Sequence, residues 1–509
     1  MGLWASYFFA KGALYFAGYI PLSVGWNLLF AAWLTVPTPE RLARKRSLVV
    51  ARAALHVVIA VVLLWHDSWL PPLRDAVAFV AMGGLPSPEF LAGFLAASIN
   101  PWIVGAALGL LAATAVAHRY MRMTPVVAVL LLIIAVVEFT TPKEAMDRVV
   151  HSFLTEESGQ VTTLVSPADS APAFDVVYLH VCSLSWDDLR DVGMAEVPFF
   201  RQFDYVLTDF NSVTSHSTIA ALRLLRSTCG QTSQEALYRR GNRECYALDS
   251  LREAGYRTWF ALNHTGEYMG FKQDVQTWGH ADAPLDIGDL PVSQIDFDGQ
   301  PIRSDSAVLD RWLEDRERSG ASRAALYYNT ITLHIGGTRV GEPAAPSNNE
   351  DAYRQDIKVL FDDLDRFFAR LASSGRDTVV LFVPEHGAAL RGTKLQPSGL
   401  REIPLPRITN VPVAVKLIGR RAPTDARPQQ VIASPTSYRS LAAFVAEFLK
   451  RSPFEETAWA QGPPAVQVPV IPFLAENEGV RVIQSGQDYF VKQGTTTDRW
   501  IKLSSEVAM

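Results

Sequence analysis

Four long apolar stretches occupy the first 140 or so residues, and they restrict the possible folds more than any other feature of the chain. The stretches are 12–36, 48–65, 101–117 and 123–139. Each approaches the roughly 20 apolar residues that cross a bilayer. Any one of them could be the core helix of a soluble protein, but four so close together favour a membrane-embedded region.

Basic residues between these stretches indicate the orientation of the region. They are Arg41, Arg44, Lys45, Arg46, Arg119 and Arg122. Because cytoplasmic loops carry the Lys/Arg excess, the chain after residue 139 is expected to face outward. Segment 66–100 is then an outer loop or a half-inserted segment. Residues 4–20 could form a further span interrupted by Lys11, so the number of spans is four or five.

The remainder of the chain alternates strand-like and helical segments. Strands are predicted at 174–181, 257–262, 324–330, 378–383 and 412–418, and helices at 218–225, 247–254, 306–318, 351–372 and 438–449. This alternation predicts an α/β domain with a mainly parallel sheet and helices on both faces. The runs VRVIQ, YFVKQ and DRWIKL near the end predict an antiparallel edge hairpin.

The expected domains are therefore a transmembrane domain of four or five helices, a short connecting region and an outward α/β domain. Their bounds are residues 1–142, 143–172 and 173–509. The connecting region combines an amphipathic interfacial helix with the linker SPADSAP. The net charge of the chain is −5, so no basic surface argues for nucleic-acid binding.

The chain has three cysteines, all in the outward domain. In an oxidising compartment two of them are expected to pair. Cys229 and Cys245 are close in sequence, and closing that loop would stabilise the domain by about 3 kcal/mol. Cys182 is then left unpaired and requires a separate explanation.

Reactive side chains follow three of the predicted strands. Cys182 follows the first, His334 lies just beyond another, and Glu385 and His386 follow the strand at 378–383. Since ligands bind outside the carboxyl ends of parallel strands, these residues could form one site. Thiolate, imidazole and carboxylate ligands favour zinc. No CxxC or HxxxH spacing supports the site, and a buried free cysteine or a core histidine explains the same pattern.

A cluster of hydroxyl side chains precedes the predicted helix at 218–225, in the sequence FNSVTSHS. A hydroxyl at this position usually caps the helix. A helix N-terminus also binds phosphate, so the same hydroxyl could be a nucleophile. The residues alone do not separate Ser212, Thr214, Ser215 and Ser217.

Taken together, these motifs resemble the phosphoethanolamine transferases, whose catalytic domains have the alkaline phosphatase/sulfatase fold. The wider family has a carboxylate at the first strand, a threonine nucleophile and Asp-His-Gly. This chain departs from it with Cys182, a serine-rich segment and Glu385-His386-Gly387. Those departures resemble the cellulose-modifying branch, the BcsG type. The matching motifs are HDSWLPP, HVCSLSWDDL, LRLLRSTCGQTS, YYNTITLH and VPEHGAALRG.

The resemblance implies a role for each matching residue. It makes Ser217 the nucleophile and places Cys182, Glu385, His386 and Ser217 on a zinc ion. It also implies that His334 and Arg401 meet the reacting phosphate, that His216 contacts substrate and that Cys229 and Cys245 form a disulfide.

The expected activity is zinc-dependent transfer of phosphoethanolamine from phosphatidylethanolamine to a hydroxyl of cellulose, through a covalent seryl intermediate. The resemblance implies a multi-pass protein of the bacterial inner membrane, with a periplasmic catalytic domain and cellulose synthase subunits as partners. Three alternatives remain at this point. They are transfer to lipid A or another periplasmic glucan, hydrolysis by a phosphatase or sulfatase, and a mainly structural role in a synthase complex.

Overall fold

The structure is a computed structural model. It describes residues 1–37, 45–70, 73, 77, 101–140, 144–168, 171–342, 349–419, 428–455, 463–493, 500–504 and 507. The basic residues Arg41 and Arg44, and most of the predicted outer loop 66–100, lie outside the described residues. The orientation inferred from those residues therefore stays a prediction.

Five apolar helices precede the α/β domain in the described part of the chain. They are α1 (Ala5–Phe16), α2 (Val24–Thr35), α3 (Arg46–His66), α4 (Pro101–Ala117) and α5 (Met123–Thr140). Among the described helices only α3, with 21 residues, is long and apolar enough to cross a membrane by length and composition. The predicted four or five spans are thus not shown, and they remain a proposal.

The apolar stretch 12–36 does not form one helix, contrary to the sequence prediction. Helix α1 ends at Phe16, and Gly18 adopts a left-handed backbone with a φ of 77°. The Gly18 N–H donates to the Tyr15 carbonyl, and the Tyr19 N–H donates to the Leu14 carbonyl. This Schellman motif ends the helix. The sequence stays apolar on both sides of it, so hydrophobicity alone could not reveal where the helix ends.

Lys11, the residue expected to interrupt a span, is accommodated inside the helical bundle. Its ammonium group is paired with the carboxylate of Asp67 and donates to Asn27 Oδ1 at 3.0 Å. All three side chains are buried. Ionisable groups in apolar regions are tolerated when they are paired in this way.

The chain then forms helix α6 (Glu144–Ser158), which confirms the predicted amphipathic helix. Its apolar side chains Val150, Phe153 and Leu154 pack with Leu474 and other residues near the C-terminus. That apolar face lies on protein, so it is not available to a bilayer. A position at the membrane surface therefore stays a prediction for the rest of the helix.

A seven-stranded sheet forms the centre of the α/β domain, in the order β10-β2-β9-β8-β1-β6-β3. The strands are β1 (Phe174–Val181), β2 (Tyr205–Asn211), β3 (Arg257–Leu262), β6 (Ala324–Thr330), β8 (Asp377–Pro384), β9 (Asn410–Ile418) and β10 (Gln430–Ile432). All run in one direction except β9, which is antiparallel to both β2 and β8. The predicted α/β class with a mainly parallel sheet is confirmed.

Helices cover both faces of this sheet and bury two separate apolar clusters. Within the domain the helices are α7 (Trp186–Asp191), α8 (Ser217–Leu225), α9 (Gln234–Leu237), α10 (Ala247–Glu253), α11 (Phe271–Gly279), α12 (Asp305–Arg318), α13 (Glu350–Ser374), α14 (Pro406–Thr409) and α15 (Tyr438–Lys450). Short 3-10 turns occupy Pro198–Gln202, Arg243–Cys245 and Tyr268–Gly270. All five predicted helices of this domain are present.

Two smaller sheets complete the domain. One contains β4 (Val292–Ile295), β5 (Pro301–Arg303) and β7 (Thr338–Arg339), and the other contains β11 (Leu474–Asn477), β12 (Val480–Ser485), β13 (Asp488–Gln493) and β14 (Ile501–Lys502). The C-terminal strands are antiparallel, and β12 and β13 form the predicted hairpin, but these strands do not join an edge of the seven-stranded sheet. They form a sheet of their own because their apolar side chains pack on α6 and on the loop around Ile403.

The N-terminal helices contact the α/β domain through Trp69, which follows α3. The Trp69 side chain is buried in one apolar cluster with Ile403, Leu405 and Phe473. Its indole N–H donates to the Tyr19 carbonyl at 3.0 Å. The Trp69 side chain therefore connects the apolar helices to the loop that follows Arg401.

Candidate metal centre

Two neighbouring parallel strands place three metal-binding side chain types together. Strands β1 and β8 pair in register up to Val181 and Pro384, so Cys182 and Glu385 leave the sheet side by side. One ligand atom each from Cys182, Glu385 and His386 lies within 4.8 Å of the others, and all three residues are fully buried. The expectation that the ends of these strands form one cluster is met.

The chemistry of this cluster fits a divalent cation better than it fits an apolar core. Glu385 Oε2 is buried without a hydrogen-bond partner among the described residues. Burial, together with the Glu385 carboxyl, raises the pKa of the Cys182 thiol to about 12, and burial also raises the pKa of Glu385. A bound divalent cation reverses this, because it favours thiolate and carboxylate. Sulfur, nitrogen and oxygen ligands with one open position match a catalytic zinc site.

A backbone carbonyl can orient the imidazole of His386 for metal binding. His386 Nδ1 lies 3.0 Å from the Gly387 carbonyl oxygen. Donation from Nδ1 to this carbonyl leaves the lone pair of Nε2 available to a metal, as in most histidine ligands. Burial, followed by the charge of Arg401, holds the pKa of His386 well below its usual range. The neutral imidazole is the form that ligates a metal.

Gly387 is required at its position by close packing. A Cβ atom there would stand 2.7 Å from both Asp188 Oδ2 and Ser185 Oγ. Ser185 and Asp188 form the capping box of α7, and Asp188 Oδ2 also accepts the Ala388 N–H at 2.7 Å. This packing holds the segment after His386 in place and explains why a glycine follows the histidine.

The structure separates the four hydroxyl residues before α8. Ser217 is the first residue of α8, and its Oγ lies 3.4 Å from Cys182 Sγ and 3.1 Å from His386 Nε2. Thr214 donates instead to Asn477 Oδ1 at 2.8 Å, and Ser215 donates to the Arg401 carbonyl. Among these hydroxyls, Ser217 is the one for which a contact with the cluster is observed.

Backbone strain occurs on both sides of the Ser217 contact. Ser183, directly after Cys182, has a φ of 62°, and Val213, in the loop before α8, has a φ of 66°. A β-branched residue in this region of backbone space is a true outlier. Such strain costs on the order of 1–3 kcal/mol and occurs often at functional sites. The two strained residues flank the atoms that the cluster brings together.

Asn477, at the end of β11, ties the Ser217 loop to the Arg401 loop. Its side-chain nitrogen lies within hydrogen-bond distance of Ser215 Oγ and of the carbonyls of Arg401 and Glu402, at 2.7, 3.0 and 2.9 Å. Its Oδ1 accepts from Thr214 Oγ1. The side chain is buried. Nothing in the sequence indicated this residue, because 262 positions separate it from Ser215.

We expect Asn477→Asp to lower the turnover of the protein about 10- to 100-fold, since misplacing a reacting group by about 1 Å has an effect of this size. The aspartate retains the acceptor for Thr214 but no longer donates to the carbonyls of residues 401 and 402. The variant should still fold and bind metal, which circular dichroism and elemental analysis would show. Unchanged turnover in Asn477→Asp would rule out a positioning role.

Arg401 lies against the cluster, and its contact with the reacting phosphate stays a prediction. Its Nη1 is 3.1 Å from Ser183 Oγ and 3.0 Å from His386 Nδ1, which cannot accept from Arg401 while it donates to the Gly387 carbonyl. His216 is the N-cap residue of α8, and its side chain makes no capping hydrogen bond. Burial, together with the charge of Arg401, lowers the pKa of His216 to about 4. A neutral imidazole beside Ser217 is compatible with the predicted contact to substrate.

His334 is paired with a residue that the sequence did not reveal. Its Nδ1 lies 2.9 Å from Asp296 Oδ1, at the end of β4. Burial would raise the pKa of Asp296, but the nearby His334 holds it below its usual value. A carboxylate on Nδ1 orients an imidazole so that Nε2 is free for proton transfer. No side-chain hydrogen bond joins His334 to the cluster among the described residues.

Asn329 is a further residue that the sequence prediction missed. At the end of β6 its Nδ2 donates to Glu385 Oε1, and its Oδ1 lies 2.9 Å from His264 Nε2. The Gly266 N–H donates to His264 Nδ1 at 3.2 Å, so Nε2 carries the proton. This chain of hydrogen bonds orients the carboxylate. The one available signal was an amide inside the otherwise apolar strand AALYYNT.

The predicted disulfide is present between Cys229 and Cys245, and Cys182 is free and buried. We therefore expect one reactive thiol per chain in denatured, unreduced protein treated with a chelator. Reduction before the titration should raise this number to three. Three thiols without reduction would show that the disulfide does not form in the native protein.

Comparison with known proteins identifies the family. The family described as the C-terminal domain of cellulose biosynthesis protein BcsG matches residues 136–500, and the family described as its N-terminal domain matches residues 4–136. Cellulose biosynthesis protein BcsG of Escherichia coli K12 is 33% identical over 537 residues, covering 96% of this chain and 94% of the relative.

Two solved structures are also similar. One is a protein of the alkaline phosphatase superfamily from Vibrio parahaemolyticus, with a TM-score of 0.46 and 14% identity over 69% of this chain and 86% of that one. The other is the lipooligosaccharide phosphoethanolamine transferase EptA from Neisseria meningitidis. Its TM-score is 0.43 and its identity 13%, over 86% of this chain and 90% of that one. These TM-scores lie below 0.5, so the similarity by itself identifies neither a fold family nor an activity.

The fold and the cluster define a class of protein in which apolar N-terminal helices precede an α/β domain with a candidate metal centre at its strand ends. Within that class the chain belongs to the BcsG family of cellulose biosynthesis proteins.

Proposed function

We propose that this protein is a zinc-dependent phosphoethanolamine transferase that modifies a hydroxyl group of cellulose through a covalent seryl intermediate. One observation carries the proposal. The Ser217 hydroxyl, at the start of a helix, contacts both Cys182 Sγ and His386 Nε2 of the three-residue cluster. Assignment of the domain to the alkaline phosphatase/sulfatase superfamily is part of the same proposal.

Cys182, Glu385 and His386 are the residues that would hold the zinc ion, with Ser217 at the open position. When bound, zinc would lower the pKa of a coordinated hydroxyl and stabilise negative charge on phosphoryl oxygens. The protein supports this chemistry with a buried, neutral imidazole and with a carboxylate oriented by Asn329.

In the first step the Ser217 oxygen, which has released its proton to solvent, attacks phosphorus of phosphatidylethanolamine as an alkoxide, and the bond from phosphorus to the diacylglycerol oxygen breaks. Arg401 and the N-terminus of α8 stabilise the charge on the phosphoryl oxygens. His334 gives a proton to the leaving oxygen. Phosphoethanolamine then remains on Ser217 as a phosphodiester, and diacylglycerol departs.

In the second step a glucan hydroxyl, for which O6 of cellulose is the proposed acceptor, attacks the phosphorus, and the bond from phosphorus to Ser217 breaks and releases the serine as its alkoxide. His334 takes the proton of the attacking hydroxyl, and Asp296 holds its imidazole for this role. The ring of Phe297 lies 5.2 Å from that of His334 and 5.5 Å from that of Tyr268, which is 43% exposed. We place the sugar chain on this aromatic row.

A membrane location agrees with the surface of the N-terminal helices. Large apolar side chains face outward there, among them Val50, Trp102, Leu132 and Phe139, and each is more than half exposed. A surface of this kind is unfavourable in water. We propose a multi-pass domain in the bacterial inner membrane with the catalytic domain in the periplasm, beside the donor lipid and the subunits of cellulose synthase.

The proposed function is tested by reconstituting the full-length protein with phosphatidylethanolamine labelled in its head group and with cello-oligosaccharides. Label should appear on the oligosaccharide, and diacylglycerol should form in equal amount. Free phosphoethanolamine as the product, with or without the oligosaccharide, would instead identify a hydrolase.

A further inference from the structure

A cavity lies in the α/β domain, apart from the metal centre. It has a volume of about 330 Å³ and is enclosed by the end of α6, by α8, by the disulfide loop and by the start of α15. None of the residues assigned to the metal centre lines it. Its wall includes Val213 and Arg223, which lie on either side of Ser217 in the chain. An occupant would therefore contact the segment that carries Ser217.

Positive charge dominates the wall of this cavity, although the whole chain has a net charge of −5. Five arginines line it, and among the described residues one carboxylate, that of Glu157, accompanies them. The arginines are Arg223, Arg226, Arg239, Arg240 and Arg439. The Glu157 carboxylate is already bound by Arg439, at 2.7 and 3.2 Å. The cavity therefore has no acidic side chain in its wall to neutralise the remaining four guanidinium groups.

Arg223 is buried, and two of its donor groups make no hydrogen bond among the described residues. Its side chain is 4% exposed, and its Nη1 donates to the Thr232 carbonyl at 3.1 Å. Its Nε and Nη2 are buried and donate no hydrogen bond among the described residues. The Glu476 carboxylate forms an ion pair with Arg223, with Oε2 at 3.7 Å from Nη2, while its other oxygen, Oε1, is bound by Arg481 at 2.8 and 2.9 Å. Buried N–H groups without a hydrogen-bond acceptor are unfavourable, and the oxygens of an anion would supply the acceptors that Nε and Nη2 lack.

A further donor in the wall also lacks a partner. The hydroxyl of Tyr438 is buried without a hydrogen bond among the described residues. Tyr438 is the first residue of α15, a helix of 13 residues, so the N-terminus of that helix borders the cavity. Helix N-termini favour anions, through their free N–H groups and the helix dipole.

We propose that this cavity is a binding site for a phosphate group, either a free phosphate or the phosphate of an anionic lipid head group. The Nε and Nη2 groups of Arg223 form the planar fork that binds two oxygens of one phosphate. Arg240 at the exposed rim adds a further positive charge. This inference does not depend on the proposed transferase activity, because it involves none of the residues of the metal centre.

Isothermal titration of the full-length protein with inorganic phosphate, at constant ionic strength and with a chelator, tests the site. The titration uses an Arg401→Gln background, which removes the arginine of the metal centre. We expect one phosphate per chain. Arg223→Gln should weaken binding about tenfold or more, and Arg240→Gln about threefold. Arg243→Gln is the matched control, because Arg243 is exposed, is paired with Glu253 and does not line the cavity.

Absence of phosphate binding in the Arg401→Gln background would overturn the proposal. Binding that neither Arg223→Gln nor Arg240→Gln weakens would overturn it as well. If Arg223→Gln fails to fold, the exposed Arg240→Gln variant still gives a result. Chloride that competes as well as phosphate at equal concentration would show a water-filled, non-specific cavity and would also contradict the site.

Two further arms of the experiment distinguish the sources of the phosphate. The phosphate titration is repeated with the protein in nanodiscs that contain phosphatidylglycerol. If inorganic phosphate no longer binds there, a lipid head group is the occupant. If inorganic phosphate still binds and glycerol 1-phosphate competes with it, a soluble phosphate is the occupant. Nanodiscs made of phosphatidylcholine alone serve as the reference, and either outcome supports a phosphate site.

Discussion

Replacing Ser217 by alanine is expected to abolish transfer while leaving the fold intact. If the Ser217 oxygen is the nucleophile, its removal should lower the rate on the order of 10⁴-fold or more. Ser217 is the first residue within α8 and not its N-cap, so the effect on stability should be small, within about 0.5 kcal/mol. Transfer of labelled head group to cello-oligosaccharide measures the first effect, and thermal unfolding measures the second.

Thr218→Ala is the matched control for this experiment, since Thr218 is the next residue of the same helix and also carries a hydroxyl. It should retain most of the wild-type transfer rate. A Ser217→Ala protein that keeps more than a few per cent of wild-type transfer would remove Ser217 from the mechanism, and the family assignment would survive that result.

The second large effect is expected at the metal centre. Purified full-length protein should contain about one zinc per chain, and both Cys182→Ser and His386→Ala should lose the metal together with the activity. The thiolate and the imidazole are two of three protein ligands, and a three-ligand site does not retain zinc with two. Elemental analysis of folded protein measures the metal content directly.

The double variant Cys229→Ser, Cys245→Ser serves as control, because it removes two sulfur atoms that the structure places in a disulfide. It should keep its zinc even where its stability falls by about 3 kcal/mol. Active wild-type protein without any bound metal would exclude the proposed chemistry, as would zinc that stays bound to both the Cys182→Ser and the His386→Ala protein.

The sequence predicted those parts of the fold that depend on local hydrophobic pattern. The strands around Val177 and Val380 are continuous apolar runs, and continuous runs are typical of strands buried on both faces. Strand β2 was missed because Thr208 and Asp209 interrupt its apolar pattern. The antiparallel direction of β9 was missed as well, because direction depends on which strands pair and not on the residues of one strand.

The candidate site was predictable to the extent that the end of a strand determines where a side chain lies. Cys182 and Glu385 were expected together on this basis, and the register of β1 and β8 places them so. The choice of Ser217 over its neighbouring hydroxyls rested on the resemblance until the contacts of each oxygen were visible. Asn477 and Asp296 could not be predicted, because tertiary contacts alone bring them to the site.

The central claim is that phosphoethanolamine is carried on Ser217 between donor and acceptor. Full-length protein incubated with phosphatidylethanolamine in the absence of glucan should accumulate this intermediate, and mass spectrometry of its peptides locates it. The account predicts one phosphoethanolamine group on Ser217, none on Thr214 or Ser215, and its disappearance when cello-oligosaccharide is added. An adduct on Thr214 or Ser215, or an adduct on Ser217 that persists with the acceptor present, would contradict the account.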